Sequence, residues 1–94
     1  MEQFYIIRGD RSGVFFGEIA ERNGREVTIR NARRLWYWDG AASLSQLAVD
    51  GTSNPRNCKF TVTVSSITIL DAIEILPCTV KAKESIEGVA VWRA

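Results

Sequence analysis

Hydrophobic and polar residues alternate along much of the chain, and a period of two predicts half-buried strands. Residues 3–8 form a short β-rich run, closed by a turn-like stretch at 9–13 that holds Gly9, Asp10, Ser12 and Gly13. Residues 14–21 follow, with Phe15, Gly17 and Ile19 on one face and Val14, Phe16 and Ala20 on the other. Gly17 inside such a run predicts a bulge or a close backbone approach. Asn23 and Gly24 predict a type I′ hairpin, the turn that needs positive φ at both central residues. Residues 26–30 alternate cleanly on the return, so the segment up to residue 30 reads as a three-stranded antiparallel meander.

Beyond an aromatic stretch at 31–38, residues 41–50 predict a short helix with Leu44, Leu47 and Ala48 at i, i+3 and i+4. Asp39 is the expected N-cap and Gly51 the expected stop. Residues 51–57, with Ser53, Asn54 and Pro55, read as a polar turn. Residues 59–65 alternate strictly, which predicts Phe60, Val62 and Val64 inward and Lys59, Thr61, Thr63 and Ser65 outward. At Ser66 and Ile67 the phase slips by one, the mark of a bulge or tight turn. Residues 69–76 predict a further strand, ended by Pro77. Thr79 then caps a second helix with Ala82, Ile86 and Val89 toward the core; Gly88 ends it, and 89–92 form a terminal strand. The expected fold class is α+β: an antiparallel, curled sheet of five to seven strands with two short helices, about 41–50 and 79–87.

Composition narrows the chemistry. The 94 residues suffice for one domain, spanning 1–94, and are too few for two. The chain has no histidine, which excludes Ser-His-Asp and Cys-His nucleophiles and His-ligated zinc. Two cysteines, Cys58 and Cys78, cannot build a structural zinc site alone and read as small buried hydrophobes. A net charge of +1 provides no global field toward nucleic acid or an anionic membrane. No basic leader and no apolar run of roughly 20 residues is visible, so no membrane association is expected and an intracellular location with reduced thiols is. Nine of the twelve cations are Arg, the residue suited to phosphate, carboxylate and ring faces; a GC-rich coding bias produces the same excess.

One segment is unlike the rest. Residues 27–38 hold three Arg, two Trp, one Tyr and no acid. In an extended chain Arg34, Trp36 and Trp38 share one face, and Arg33, Leu35 and Tyr37 the other. A guanidinium beside two indoles suits a flat aromatic ligand that carries phosphate, with the base stacked and the charge held by Arg. Ala41, Ala42 and Ser43 put small residues at a helix start, where free backbone N–H groups favour an anion. Ser43 and Ser45 add hydroxyls there, and Gln46 completes the candidate set. The structural alternative is that the Trp-Tyr-Trp run packs a core or an interface with Arg snorkelling over it. No Walker-type loop or dinucleotide fingerprint is present.

The block ARRLWYW at 32–38 and GAASLSQLA at 40–48 resembles a family of small tailed-phage proteins labelled as a domain of unknown function. The resemblance continues through Pro55, Asn57, Cys58, Lys59, Phe60, Glu74, Ile75, Pro77, Cys78, Thr79, Ser85, Ile86 and Trp92. It implies phage origin and expression in the cytoplasm of an infected bacterium, and carries over no catalytic residues. Small His-free phage proteins that sequester nucleotide immune signals need a pre-organised pocket and no catalytic group.

The expected function is therefore non-enzymatic binding of a nucleotide ligand, as an anti-defence sponge for a cyclic nucleotide or ADP-ribose-type signal. Arg33 or Arg34 is the expected phosphate ligand, Trp36, Tyr37 or Trp38 the stacking platform, and the 41–43 backbone a second phosphate site. No cofactor or metal is expected, and exposed aromatics with short edge strands predict a homo-oligomer. The first alternative is a protein-interaction module that uses the same Trp/Tyr/Arg cluster against a host protein. The second is single-stranded nucleic-acid binding, which near-neutral charge disfavours.

Overall fold

A computed structural model describes residues 2–94. The chain runs β1 (Tyr5–Gly9), β2 (Val14–Asn23), β3 (Glu26–Tyr37), α1 (Leu44–Asp50), β4 (Lys59–Phe60), β5 (Val64–Ile69), β6 (Ala72–Pro77) and α2 (Val80–Gly88). The six strands form one antiparallel sheet in the order β4-β3-β2-β1-β6, with β5 also on β3. The α+β class and the two helices follow the sequence expectation. The sheet is not closed: β5 and β6 share no ladder and are joined only through Leu70 and Asp71. That turn nevertheless ties the structure together, because Asp71 O accepts from Asp10 N at 2.9 Å and Ala72 N donates to Arg25 O at 3.0 Å.

Period-two alternation gives the sheet two apolar faces. On one, Phe4, Ile6, Phe16, Leu35 and Phe60 pack against Leu47 and Ala48 of α1 and Ala82 and Ile86 of α2. On the other, Ile7, Phe15, Val27, Ile29 and Ile69 pack inside the curl of the sheet. Cys58 and Cys78 are buried and unpaired, as small hydrophobes would be. Burial pushes the Cys78 thiol up to about 12.

The long β3 strand changes face partway along. From Phe16↔Arg33 to Glu18↔Arg30 the register shifts by one, with the extra residue on β3. Asn31 adopts φ +50° there, a left-handed conformation that Asn tolerates, and its side-chain amide donates to Glu18. Val27, Ile29 and Ala32 therefore face the curl, while Arg33 and Leu35 face the helices. A second shift, between Ile19 and Glu21, adds the compensating residue on β2.

Five local expectations are corrected. The hairpin turns on Gly24 and Arg25, with Asn23 paired to Glu26. Only Gly24 has positive φ, the pattern of a II′ turn with Gly first rather than I′. Residues 59–65 are not one strand: the chain leaves the ladder at 61–63, which exposes Val62 and Val64 while Phe60 stays buried. Leu70 and Asp71 interrupt the expected 69–76 strand, and β5 runs through Ser66 and Ile67 without a break. The terminal strand reduces to a single bridge between Phe60 and Val91. Thr79 does cap α2, accepting from Ala82 N at 3.0 Å.

Gly17 is the close approach its position predicted. A Cβ there would lie 2.9 Å from Arg30 O and 3.2 Å from the Ile29 side chain, both fixed by the ladder. Gly17→Ala is expected to destabilise the fold by about 1–3 kcal/mol in urea unfolding, as overpacked core positions do. Unchanged stability would show that the β2–β3 pair has room to give.

Candidate functional site

Arg34, Trp36 and Trp38 line one open groove of about 190 Å³, together with Ser12, Gly13, Val14 and Leu35. The alternation of β3 brings Arg34 and Trp36 to the same side, as expected. The far wall comes from the β1–β2 loop, which sequence reading treated only as a turn. That loop is held by Asp71, whose carboxylate accepts from Arg11 N at 2.7 Å, Ser12 N at 3.1 Å and the Ser12 hydroxyl. Ser12 O in turn accepts from Arg34 Nη1 at 2.7 Å. The guanidinium lies over the Phe15 ring at 4.5 Å, so one face is fixed by cation–π contact. Among the described residues no acceptor engages Arg34 Nε or Nη2, and no carboxylate lines the groove. Arg34 is thus oriented by the protein and keeps donors to offer.

Trp36 is 64 % exposed and stacks on Trp92, with ring centroids 6.1 Å apart and planes 17° from parallel. Lys59 Nζ sits 5.6 Å from the Trp92 centroid. Trp38 is half-buried and packs against the helix-side core. Tyr37 pairs with Lys59 after a register shift at the end of β3, and is exposed outside the groove. Trp92 and Lys59 are not candidates from sequence, because the β3–β4 ladder sets Lys59 beside Tyr37 and only the return of the C-terminal chain to Phe60 brings Trp92 to Trp36.

Arg33 is a correction. It was an expected phosphate ligand, but it is 3 % exposed and its guanidinium is spent on backbone carbonyls. Nε donates to Thr61 O at 2.7 Å, Nη1 to Ile86 O at 2.8 Å, and Nη2 to Val89 O at 2.6 Å and Phe60 O at 3.3 Å. Its ring-facing side lies over Phe60 at 5.5 Å. Desolvation lowers its pKa from the ordinary arginine value. Arg33 clamps the end of α2 to the β3–β4 edge.

The helix start is the second correction. Residues 41–43 precede α1, and the N-cap is Ser43 rather than Asp39: its hydroxyl accepts from Gln46 N at 3.2 Å. Gln46 reaches back and accepts from Ala42 N at 2.7 Å. This Ser-x-x-Gln arrangement engages the Ala42 N–H and the Ser43 hydroxyl, two of the groups expected to bind a phosphate. Ala41 packs against the core, and Ala42, Ser43, Ser45 and Gln46 are exposed; none of the five lines the groove. Asp39 instead fastens the 54–57 turn, accepting from Asn57 at 2.8 Å, Asn54 at 2.9 Å and Gly40 N at 2.9 Å.

An α+β domain with an arginine–indole groove on an otherwise near-neutral surface is the class that fold and site define. The chain belongs to the family described as a domain of unknown function (DUF6948), whose profile matches residues 2–86. Trp92 lies beyond the matched residues. No curated protein and no solved structure matches the chain. Among the described residues no helix is long and apolar enough to cross a membrane.

Both loop-anchoring carboxyls are held below the usual carboxylate range, Asp39 chiefly by the Asn57 amide and Asp71 chiefly by the Ser12 hydroxyl. Their native states bind the proton less tightly than the unfolded chain. The stability they contribute is therefore complete above the unfolded value of about 3.9 and is lost as pH falls through the lower native value. Melting temperature is expected to fall on acidification below about pH 4, and less steeply in Asp39→Asn and Asp71→Asn. An acid limb identical in both variants would contradict this assignment.

Proposed function

We propose that the protein is a non-enzymatic phage protein that binds a phosphate-bearing nucleotide in the cytoplasm of an infected bacterium. In this reading it sequesters a cyclic nucleotide or ADP-ribose-type immune signal. The observation that carries the reading is Arg34: a guanidinium with unengaged donors, oriented by Ser12 and Phe15, in a groove walled by two indoles and free of carboxylates. The base stacks on the free face of Trp36 and the phosphate meets Arg34. The chain lacks histidine, the commonest general acid and base near neutral pH, which favours binding over catalysis in this reading. Phage origin rests on the resemblance of the 32–48 block.

A groove of about 190 Å³ is smaller than the roughly 300–1,000 Å³ that encloses a drug-sized ligand. One protomer therefore accommodates a ring and its charged substituent, and full enclosure of a larger signal calls for a second copy of the chain. The exposure of Tyr37 and Trp92 outside the groove, with Trp36 exposed at its wall, favours a second reading, a protein-interaction module with these aromatics as a hot spot.

Calorimetric titration with mononucleotides, cyclic dinucleotides and ADP-ribose isomers tests the first reading. Binding is expected for at least one, with Arg34→Ala weakening it tenfold or more, since a charge-assisted hydrogen bond contributes about 1.5–3 kcal/mol. Arg56→Ala, on the exposed turn outside the groove, is expected to bind as the native chain does. Silence across the panel, with stoichiometric capture of one host protein, would replace this reading by the second.

A further inference from the structure

Arg34 is held at one corner and on one face, and the way it is held decides which donors a ligand can meet. Nη1 donates to Ser12 O at 2.7 Å, and the guanidinium carbon lies 4.5 Å from the centroid of the Phe15 ring. Among the described residues no acceptor engages Nε or Nη2. These two nitrogens share one edge of the planar group, and their N–H bonds run side by side. An anion that meets this edge accepts from both at once, provided it offers two oxygens on one centre. The non-bridging oxygens of a phosphate, esterified once or twice, do so.

The group that takes Nη1 is itself held from outside the groove. Ser12 O is a backbone atom, so its place depends on the path of the β1–β2 loop. Asp71, in the turn between β5 and β6, secures that path across 59 residues of chain. One carboxylate oxygen accepts from Arg11 N at 2.7 Å and Ser12 N at 3.1 Å, and the other accepts from the Ser12 hydroxyl. The Asp71 carbonyl accepts from Asp10 N at 2.9 Å, and Gly9 N closes the loop on Gly13 O at 2.7 Å. The fit is close: a Cβ at Gly9 would collide with the Ser12 hydroxyl and lie 2.8 Å from Asp71 Oδ1. Asp71 lines no part of the groove. Its carboxylate fixes Ser12, Ser12 fixes Nη1, and Nη1 decides which edge is left to a ligand.

We infer that Asp71 is a positioning residue of the Arg34 site: through Ser12 it withdraws Nη1 and presents the Nε–Nη2 edge as a fork for two oxygens of one phosphate. This rests on the nucleotide reading above and adds to it a mode of contact and a residue outside the groove. Lysine at position 34 would keep the charge but has no such edge, so charge alone does not satisfy the site.

Calorimetry with AMP and a cyclic dinucleotide on the full chain, with nitrogen-15 spectra of the arginine side chains, tests the fork. On saturation the Arg34 Nε–H proton is expected to move downfield, as a donor to an anion does. Asp71→Ala weakens binding about tenfold, because a displaced edge forfeits one of two charge-assisted bonds. Asp71→Asn stays within about threefold, since its oxygen can take the two backbone N–H groups while its amide donates to the Ser12 hydroxyl. Added to Arg34→Ala, the change Asp71→Ala costs less than about twofold, because it acts only through that guanidinium. Arg34→Lys leaves the β5–β6 turn intact and is expected to lose about tenfold, which tests the fork even if Asp71→Ala does not fold. Native-like binding by Arg34→Lys, an unmoved Nε–H signal, or an equal loss from Asp71→Ala with and without Arg34 would overturn the inference and leave the nucleotide reading standing. Binding by no probe would overturn both.

Discussion

The structure depends on one buried cation. Arg33 carries a full charge into the interface between sheet and helices, where no carboxylate among the described residues neutralises it. Four carbonyl oxygens take its place, two from the β4 side at Phe60 and Thr61 and two from the end of α2 at Ile86 and Val89. A helix C-terminus leaves carbonyls unpaired and carries partial negative charge, so it is a natural partner for a guanidinium. One side chain thereby fixes where α2 ends relative to β3 and β4. The chain beyond α2 continues from that fixed point to Phe60, and so places Trp92.

The neighbouring Arg34 has the opposite fate for a reason that lies three residues earlier. The Asn31 bulge resets the alternation of β3, so that Arg33 and Leu35 turn to the helices and Arg34 and Trp36 to the groove. Without the extra residue, the face that carries Val27 and Ile29 would carry Arg33 as well. The bulge therefore decides which arginine becomes structural and which remains available. Asp71 extends the same logic from the opposite end of the sheet: it fastens the Ser12 loop, and Ser12 O orients Arg34.

Local signals in the sequence carried much of this. Alternation found β1, β2 and the start of β3, Gly17 marked a close approach, and Thr79 and Gly88 bounded α2. The pairing of Arg34 with Trp36 was also legible, because period two is local; Trp38 lies past the end of β3 and packs on the helix side. What was not legible depends on contacts distant in sequence. Period two separates Arg33 from Arg34 without saying which is buried, and that follows from the carbonyls of Phe60, Thr61, Ile86 and Val89. Ser43 competed with Asp39 for the N-cap, and Asp39 went to Asn54 and Asn57 instead. Val62 and Val64 alternate like a core strand, yet the ladder skips residues 61–63 and both are exposed. Trp92 had no local pattern connecting it to Trp36 at all.

The division of labour between two adjacent arginines is the central claim, and chemical unfolding of Arg33→Met beside Arg34→Met tests it directly. Truncating Arg33 removes the side-chain donor from four carbonyls, leaves Thr61 O and Val89 O without the one that holds them, and is expected to cost about 3 kcal/mol or more. Truncating Arg34 removes one exposed hydrogen bond and a cation–π contact, at about 1 kcal/mol. Equal losses, or a larger one at Arg34, would contradict the account.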